Sequence, residues 1–306
     1  MSDTNNQTEK LVGVEISQSA FRAVCLEPGG NLQDVFHQEV SGNSETFGRL
    51  IDFIGNAADR FGGARRIGVA VPGLVNRRTR SLVFSTFFPE LEKKDFTGEL
   101  EAATGLGVLV ENDANSAGYG EYRLGAGRGS RNMFYITLGT GVGGSLIIDQ
   151  KIWHGATGFA GEFGHIAINS EGLKLEGVAS AANIVRRTRN RFHQDHTSSL
   201  SRIEETEINL TDIVNAARNE DDFARMMLER TGRYIGTAVA SVINLLNIEK
   251  IVVGGEIMRA ENLVLDAITE RAREISFAPS FETTRIVEGE LGENATAIGV
   301  ALLSAQ

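Results

Sequence analysis

Cysteine is nearly absent from this chain of 306 residues, because Cys25 is the only one. A single cysteine excludes an intramolecular disulfide and a cysteine-rich zinc cluster. No apolar run approaches the roughly 20 residues that a membrane-spanning helix needs. The polar start MSDTNNQTEK also lacks the apolar core of a signal peptide. These absences lead us to expect a cytoplasmic protein with no membrane partner.

An excess of positive charge is lacking too, since the formal net charge is −10. Broad nucleic-acid binding depends on a basic surface, so we expect no direct nucleic-acid partner. The segment Val185–His193 (VRRTRNRFH) is a local exception. Its arginines fall on several faces of a predicted helix, which favours a solvated helix surface. An anion- or partner-binding patch is the alternative interpretation.

What the sequence does contain is a repeated order of strands. Leu11–Phe36 and Asn132–Trp153 each show a strand, a turn, a second strand, another turn and a third strand. Their period-2 alternation and β-branched residues favour strands. Helices and further strands follow each segment. The pattern predicts repeated βββαβα units, and therefore two α/β domains around a central cleft.

We place the boundary between these domains near Ala117. Residues 1–117 then form the first domain and residues 118–294 the second, and an apolar helix over 295–306 packs back on the first. The pattern predicts the other elements at about Ser44–Phe61, Ile67–Gly73, Phe96–Thr104, Val108–Asp113, Val178–Phe192, Leu210–Arg218, Asp221–Leu246, Lys250–Gly255 and Ala260–Ser276.

Chemistry-bearing residues stand at the carboxyl ends of predicted strands, where open α/β sheets bind ligands. Asp113 ends one strand and begins a helix, where it is either a functional carboxylate or a helix N-cap. Thr137–Gly144 (TLGTGVGG) is glycine-rich, so its backbone N–H groups can face one anion and its glycines can adopt positive φ. A glycine-rich hairpin turn is the alternative. Glu162 and His165 lie three residues apart.

Four motifs in one order carry a family resemblance: END-N from Glu111, LGTGVGG from Leu138, HG-x-x-G-x-x-GE-x-GH from His154, and VVGGE from Val252. From Leu11 to Leu303 the sequence resembles the ROK family (repressors, open reading frames and sugar kinases) of the actin/hexokinase superfamily. This resemblance implies an α/β fold of two actin-like (ribonuclease H-like) ATPase domains. It also implies transfer of the ATP γ-phosphate to a hexose hydroxyl.

The resemblance assigns roles at the sugar. Asp113 matches the general base, and Asn112 would hydrogen-bond a sugar hydroxyl. The other implied sugar-binding residues are Gly73 in the VPG pocket wall, Glu162, His165 and Glu176. In the family that histidine also binds a structural zinc together with cysteines that follow it. Those cysteines are missing here, so no zinc and no other resident metal site is expected.

The resemblance also assigns a nucleotide site for ATP and Mg²⁺. The second phosphate motif supplies Thr137, Gly139, Thr140, Gly141 and Gly143, and the adenosine region supplies Gly254 and Gly255. A ligand-free strand-to-helix turn is the alternative for that glycine pair. The family's first phosphate motif is D-x-G-G-T, but Glu15, Ser17, Gln18 and Ser19 stand at its matching positions. Glu15 would order Mg²⁺, Ser19 keeps a hydroxyl, and the lost glycines predict weak nucleotide binding.

Two functions therefore compete. The first is a hexose kinase, and the second is a sugar-binding or sensing protein with little catalysis. A superfamily phosphatase has no residue that marks it. Family repressors carry a DNA-binding domain before the first strand, whereas ten residues precede Leu11, so direct DNA binding is not expected. A homodimer follows from the resemblance alone. Phe87 and Phe88 stand where family kinases have a sugar-binding Asn-Leu, and we interpret them as core.

Overall fold

The computed structural model describes residues 10–17, 19–40, 46–62, 64–85, 88–192, 197–260 and 262–306. The expectations for Gln18, Phe87, Ser44 and His193 fall outside these residues. The chain divides into two compact units. The first comprises Met1–Arg128, Ile152–Ala160 and Glu293–Gln306, and the second comprises Gly129–Lys151 and Gly161–Gly292.

The described residues form strands β1–β12 and helices α1–α10 in the following chain order: β1 (Leu11–Ile16), β2 (Ala20–Leu26), β3 (Leu32–Glu39), α1 (Thr46–Arg60), β4 (Arg66–Val71), β5 (Leu74–Asn76), β6 (Ser81–Phe84), α2 (Phe96–Thr104), β7 (Gly107–Asn112), α3 (Asp113–Leu124), β8 (Met133–Leu138), β9 (Val142–Ile148), β10 (Lys151–Ile152), α4 (Glu176–Ala179), α5 (Ala181–Arg189), α6 (Leu210–Arg218), α7 (Asp222–Leu246), β11 (Lys250–Gly254), α8 (Asn262–Ile275), α9 (Ala278–Glu282), β12 (Arg285–Glu288) and α10 (Ala295–Ser304). None of the helices so described is long and apolar enough to span a bilayer.

Each unit is built on one five-stranded sheet, and the two sheets share one order. The first runs β3-β2-β1-β4-β7 and the second β10-β9-β8-β11-β12. In the first sheet β1 is antiparallel to β2 and parallel to β4, which is parallel to β7. In the second, β8 is antiparallel to β9 and parallel to β11, which is parallel to β12. This shared order confirms the predicted α/β class with a repeated strand unit.

Helix α10 packs directly on β1, β4 and α3 in the first unit. Glycine makes this close approach possible. A Cβ at Gly13 would overlap the carbonyl oxygen of Ala297, one at Gly68 that of Val300, and one at Gly299 that of Ser116. The last helix is therefore a buried part of the first unit.

Aromatic side chains fill the other face of the first sheet. Phe36 stacks on Phe53 at a ring distance of 4.9 Å. Phe88 is fully buried and lies 5.5 Å from Phe96. Its interpretation as a core residue is therefore confirmed.

The single helix predicted over Val178–Phe192 is wrong, because it is interrupted at Ser180. That residue has an extended backbone (φ −70°, ψ 155°) between α4 and α5. The backbone N–H of Ala181, at the start of α5, donates to the carbonyl of Gly139 at 2.8 Å. A contact from outside the helix therefore competes with continuous helical hydrogen bonding at this point.

Candidate functional site

The END turn, Glu111–Asp113, joins β7 to α3 in the first unit. Asn112 is the N-cap of α3, since its Oδ1 accepts from the backbone N–H of Asn115 at 3.0 Å. Its Nδ2 donates to the carbonyl of Gly73 at 3.0 Å and to Oδ1 of Asp113 at 2.9 Å. One amide thus caps the helix, holds the VPG loop and orients the neighbouring carboxylate.

Asp113 is the first residue of α3 and is half-buried. The alternative in which Asp113 merely caps this helix is wrong, because Asn112 does the capping. A carboxylate in the first helical turn is also favoured by the positive end of the helix dipole. The structure thus places Asp113 beside Gly73 and Asn112, as the sequence grouped them.

Glu111, the first residue of the END turn, forms a buried hydrogen bond with His154 that the sequence did not predict. Glu111 is 3% exposed, and its Oε2 lies 2.9 Å from Nε2 of His154. Its Oε1 accepts from the N–H of Asn112 at 2.9 Å and from Nδ2 of Asn115 at 3.1 Å. Burial raises the pKa of this carboxyl, but the His154 hydrogen bond and the other donors outweigh it and lower the pKa of Glu111 below 4.5.

Glu162, His165 and Glu176 come together in the second unit. Glu162 precedes a 3-10 turn over Phe163–His165. Burial raises the pKa of Glu162, the nearby His165 opposes that rise, and Glu176 adds to it. Nδ1 of His165 lies 3.1 Å from Nζ of Lys174. Glu162 and Glu176 therefore form an acidic cluster, and Lys174 lies beside it at His165.

Close packing of two glycines sets the position of Glu162. Gly161 has φ +98°, and a Cβ there would overlap the carbonyl oxygen of Gly144. Gly144 in turn has no room for a side chain beside Phe134 and Phe163. The glycines of the motif thus allow its backbone to lie directly on β9.

Thr137–Gly144 is the end of β8, a tight turn and the start of β9. The N–H of Gly139 donates to the carbonyl of Gly141 at 3.0 Å. None of the four glycines in this turn has positive φ, so that expectation was wrong. Gly143 and Gly144 lie in β9, where antiparallel pairing with Thr137 and Ile136 keeps their backbones extended.

Glu176 also belongs to this turn. Its Oε2 accepts from the backbone N–H of Val142 at 3.0 Å. A Cβ at Gly141 would lie 3.1 Å from the same oxygen. The carboxylate therefore lies against the glycine turn as well as near Glu162.

The glycine pair after β11 packs on the same turn. Gly255 has φ +98°, and a Cβ there would overlap backbone atoms of Leu138. The side chain of Glu256 approaches Gly139, where a Cβ would be 3.7 Å away. The second unit therefore brings together the predicted phosphate turn and Gly254–Gly255. Close backbone approach and a glycine-lined turn fit a nucleotide there.

The first phosphate loop, between β1 and β2, fits a phosphate less well than the glycine turn of the second unit does. The N–H of Ser17 donates to the carbonyl of Ala20 at 2.9 Å. The hydroxyl of Ser17 donates to the same carbonyl at 2.8 Å and accepts from the N–H of Ala20 at 3.2 Å. The carbonyl of Ser19 accepts from the N–H of Val40. The side chain that replaces glycine closes the turn upon itself.

Glu15, at the position implied for ordering Mg²⁺, is engaged within the protein. Burial raises its pKa from 4.5 to about 7, Arg22 opposes the rise, and Asp113 adds to it. Nε of Arg22 lies 4.0 Å from Oε2 of Glu15. The side chain of Thr296 also hydrogen-bonds this carboxyl. Arg22 and Thr296 therefore already contact this carboxyl, and a metal ion there would have to compete with them.

No group of three or more His, Cys, Asp or Glu side chains among the described residues could hold a metal ion. The segment from His165 to Ser180 contains no cysteine.

The ROK family profile matches residues 13–306. The chain belongs to the ROK family. This ROK chain is 32% identical to a glucokinase of Halalkalibacterium halodurans, over 94% of this chain and 92% of that protein. Its α/β fold is that of the actin-like ROK sugar kinases.

Two solved structures show how widely the same fold is used. A ROK family glucokinase from Streptomyces griseus, in complex with glucose and AMPPNP, has 29% identity and a TM-score of 0.86, covering 97% of this chain and 99% of that chain. A ROK family transcriptional regulator, a homologue of the E. coli MLC protein, has 28% identity and a TM-score of 0.85. It covers 98% of this chain and 79% of that chain. Both a kinase and a regulator therefore share this architecture.

Proposed function

We propose that this ROK protein is a hexose kinase that transfers the γ-phosphate of ATP to a sugar hydroxyl, with Asp113 as general base. The observation that carries the proposal is the END turn. Asn112 caps α3 and donates to Asp113 at 2.9 Å, so the carboxylate is oriented and is not needed as the cap. A relative that is 32% identical over 94% of this chain is a glucokinase, which supports the proposal.

The chemistry asked of Asp113 is modest. Its carboxylate accepts the proton of the sugar hydroxyl while that oxygen bonds to the γ-phosphorus and the bond to ADP breaks. Phosphoryl transfer relies mainly on positioning and charge stabilisation, so an oriented carboxylate suffices as proton acceptor. The Asn112 amide supplies the orientation.

The sugar would be held through its other hydroxyls. We assign this role to Oδ1 of Asn112, the Gly73 loop, Glu162, His165 and Glu176. Both N–H donors of Asn112 are used within the protein, so it would meet the sugar as an acceptor. Carboxylates that accept from hydroxyls give strong discrimination, because a sugar without that hydroxyl leaves a polar group unpaired.

The nucleotide would be held by Thr137, Gly139, Thr140, Gly141, Gly143, Gly254 and Gly255. The packing of Gly255 on Leu138 supports this assignment. Glu15 and Ser19 would face the metal that accompanies ATP. Mg²⁺ supplies charge neutralisation for the phosphates when it is bound. A homodimer is proposed on family resemblance alone.

One observation favours a second candidate, a sugar-binding sensor with little catalysis. Arg22 lies 4.0 Å from Glu15, and the Ser17 hydroxyl donates to the carbonyl of Ala20 within the first phosphate loop, so this loop is poorly suited to Mg-ATP. The similarity to a ROK transcriptional regulator is consistent with this candidate.

The deciding experiment measures ADP release from Mg-ATP with glucose, mannose, N-acetylglucosamine, N-acetylmannosamine, fructose and allose. Asp113→Asn should lower kcat by about 100-fold or more while hexose still binds. Asp52→Asn, an exposed carboxylate on α1, is the matched control and should turn over normally.

Sugar-dependent turnover that Asp113→Asn removes would support the kinase. If no hexose gives turnover but one still raises the melting temperature, the sensor is the better description. Turnover that survives in Asp113→Asn would reject the assignment of the base.

A further inference from the structure

The proposed reaction uses neither Glu111 nor His154, although this is a buried acid–base pair next to the proposed base. We propose that Glu111 and His154 are positioning residues. Their hydrogen bond holds the END turn and the segment 152–160 in place, and sugar affinity depends on it. This inference rests on the proposed function, since it concerns the same sugar site.

Glu111 fixes the END turn from the main-chain side. Its Oε1 accepts from the N–H of Asn112 and from the amide of Asn115, at 2.9 and 3.1 Å. On the other side, Nδ2 of Asn112 donates to Gly73 and Asp113. Asn112 is therefore held by hydrogen bonds of both its backbone and its side chain. A shift of the buried Glu111 carboxylate would move the residue that orients Asp113.

His154 fixes the carboxylate in turn. Ionised Glu111 can only accept, so the hydrogen on the shared bond must be carried by Nε2 of His154. Nη1 of Arg77 lies 3.2 Å from Nδ1 and also from Nε2 of His154. Because arginine can only donate, Nδ1 is the nitrogen that can accept from it. Contacts at both ring nitrogens, with Glu111 and with Arg77, therefore fix the orientation of the His154 ring.

The backbone of His154 organises the segment that follows. Its carbonyl accepts from the N–H groups of Gly158 and Ala160, at 3.1 and 3.2 Å. Gly158 has φ +104°, and a Cβ there would overlap the carbonyl oxygen of Val75. The segment therefore closes as a loop against β5, and in the sequence Glu162 comes two residues after it. One side chain anchors this loop to the END turn.

The hydrogen bond between Glu111 and His154 is largely shielded from solvent. The side chain of Glu111 is 3% exposed and that of His154 is 17% exposed. Removing one partner of such a pair leaves the other buried without its hydrogen bond, which is more damaging than losing an exposed pair. The sequence separates the two residues by 43 positions, so the bond joins two distant parts of the chain.

Two variants test the pair. His154→Ala removes the donor, whereas His154→Gln keeps an N–H near the position of Nε2. His37→Ala, an exposed histidine on β3 in the same unit, is the control. Hexose and ATP affinities are measured by calorimetry, and backbone exchange at residues 112–115 and 155–160 by hydrogen–deuterium exchange.

We expect His154→Ala to weaken hexose binding by about tenfold or more, the size of the loss seen when the hydrogen-bond partner of a metal ligand is removed. Exchange should accelerate at both segments while the ATP Kd stays unchanged. His154→Gln should recover most of both effects, and His37→Ala should show neither.

Unchanged exchange in His154→Ala would overturn the inference. So would faster exchange with an unchanged hexose Kd, or an equal loss of hexose and ATP affinity, which marks general loosening. If the unmodified protein binds no hexose, the proposed function fails. The exchange data then still test whether the Glu111–His154 hydrogen bond keeps the END turn in place.

Discussion

Oε2 of Glu176 accepts a hydrogen bond from the backbone N–H of Val142 at 3.0 Å. The sequence predicted only a sugar-binding role for Glu176, yet this hydrogen bond makes its side chain a part of the glycine turn. Its negative charge beside Gly141 also means that the turn presents less positive potential to a phosphate than its glycines suggest.

Replacing Glu176 should therefore separate its structural and charged roles. Glu176→Ala leaves the N–H of the buried Val142 without its partner, which costs about 1–3 kcal/mol of the free energy of unfolding. Glu176→Gln keeps an acceptor and should cost less than about 1 kcal/mol. Urea denaturation measures both, with the exposed Glu229→Ala on α7 as control. Equal losses in the two Glu176 variants would contradict the role of the Val142 bond.

Glu15 should make stability depend on pH. Its pKa is raised from 4.5 to about 7, so the folded state keeps a proton that the unfolded state loses. The stabilising contribution is fully present below pH 4.5 and is lost as the pH rises through 7.

Glu15→Gln should remove this pH dependence. At pH 8 the variant should be more stable than the parent by up to about 3 kcal/mol, and at pH 4.5 nearly equal to it. Denaturation curves at several pH values provide the measurement, with Glu39→Gln on β3 as an exposed control. A constant difference between parent and Glu15→Gln across this pH range would refute the linkage.

Gly299 should be intolerant of any side chain. A Cβ there would overlap the carbonyl of Ser116, and both belong to packed helices, so the backbones must separate. We expect Gly299→Ala to lose at least about 3 kcal/mol of unfolding free energy, as overpacking of a core does at its severe end.

The matched control is a glycine with open surroundings. Gly55 lies within α1, and a Cβ there would meet nothing within 4 Å. Gly55→Ala should stabilise the protein by about 0.5–1 kcal/mol, because alanine has the higher helix propensity. Thermal and urea unfolding of both variants decide the matter, and similar stabilities would argue against the packing account.

Trp153 should report sugar binding. It is the only tryptophan, it is 55% exposed, and it precedes His154. If a hexose reaches the END turn beside His154, water should be displaced near the indole and its emission should shift to shorter wavelength. A fluorescence titration compared with calorimetry tests this. Heat of binding without any change of emission would place the sugar away from residues 152–160.

Much of this fold was predictable because local signals marked its elements. Helix α2 begins and ends as predicted, since Asp95 caps its start and Gly105, at φ +71°, ends it. Helix α6 was also predicted to the residue, and Asn209 and Asp212 form its capping box. These signals lie within a few residues of the boundary that they set.

The elements that were missed lack such signals. The β5–β6 hairpin is short, and β12 has only the four residues Arg285–Glu288. Short strands depend on partners that are remote in sequence, such as β11 for β12.

The candidate site shows the same limit. The sequence motifs identified Asp113 and Glu162 as candidate site residues. Nothing in the residues around Glu111 indicates that His154 is its hydrogen-bond partner. Likewise, the sequence shows that Ser17 stands in place of a glycine. It does not show that the Ser17 hydroxyl hydrogen-bonds Ala20 and so closes the turn. Contacts between distant residues decide what those side chains do.

The burial of α10 against β1, β4 and α3 has a consequence for biosynthesis. The first unit draws on the start of the chain and on Glu293–Gln306 at its end. A ribosome makes Glu293–Gln306 only after Gly161–Gly292 of the second unit. The face of β1 that packs against Ala297 therefore stays uncovered until the residues of the second unit have been made, and an apolar sheet exposed in this way is one that chaperones are suited to shield.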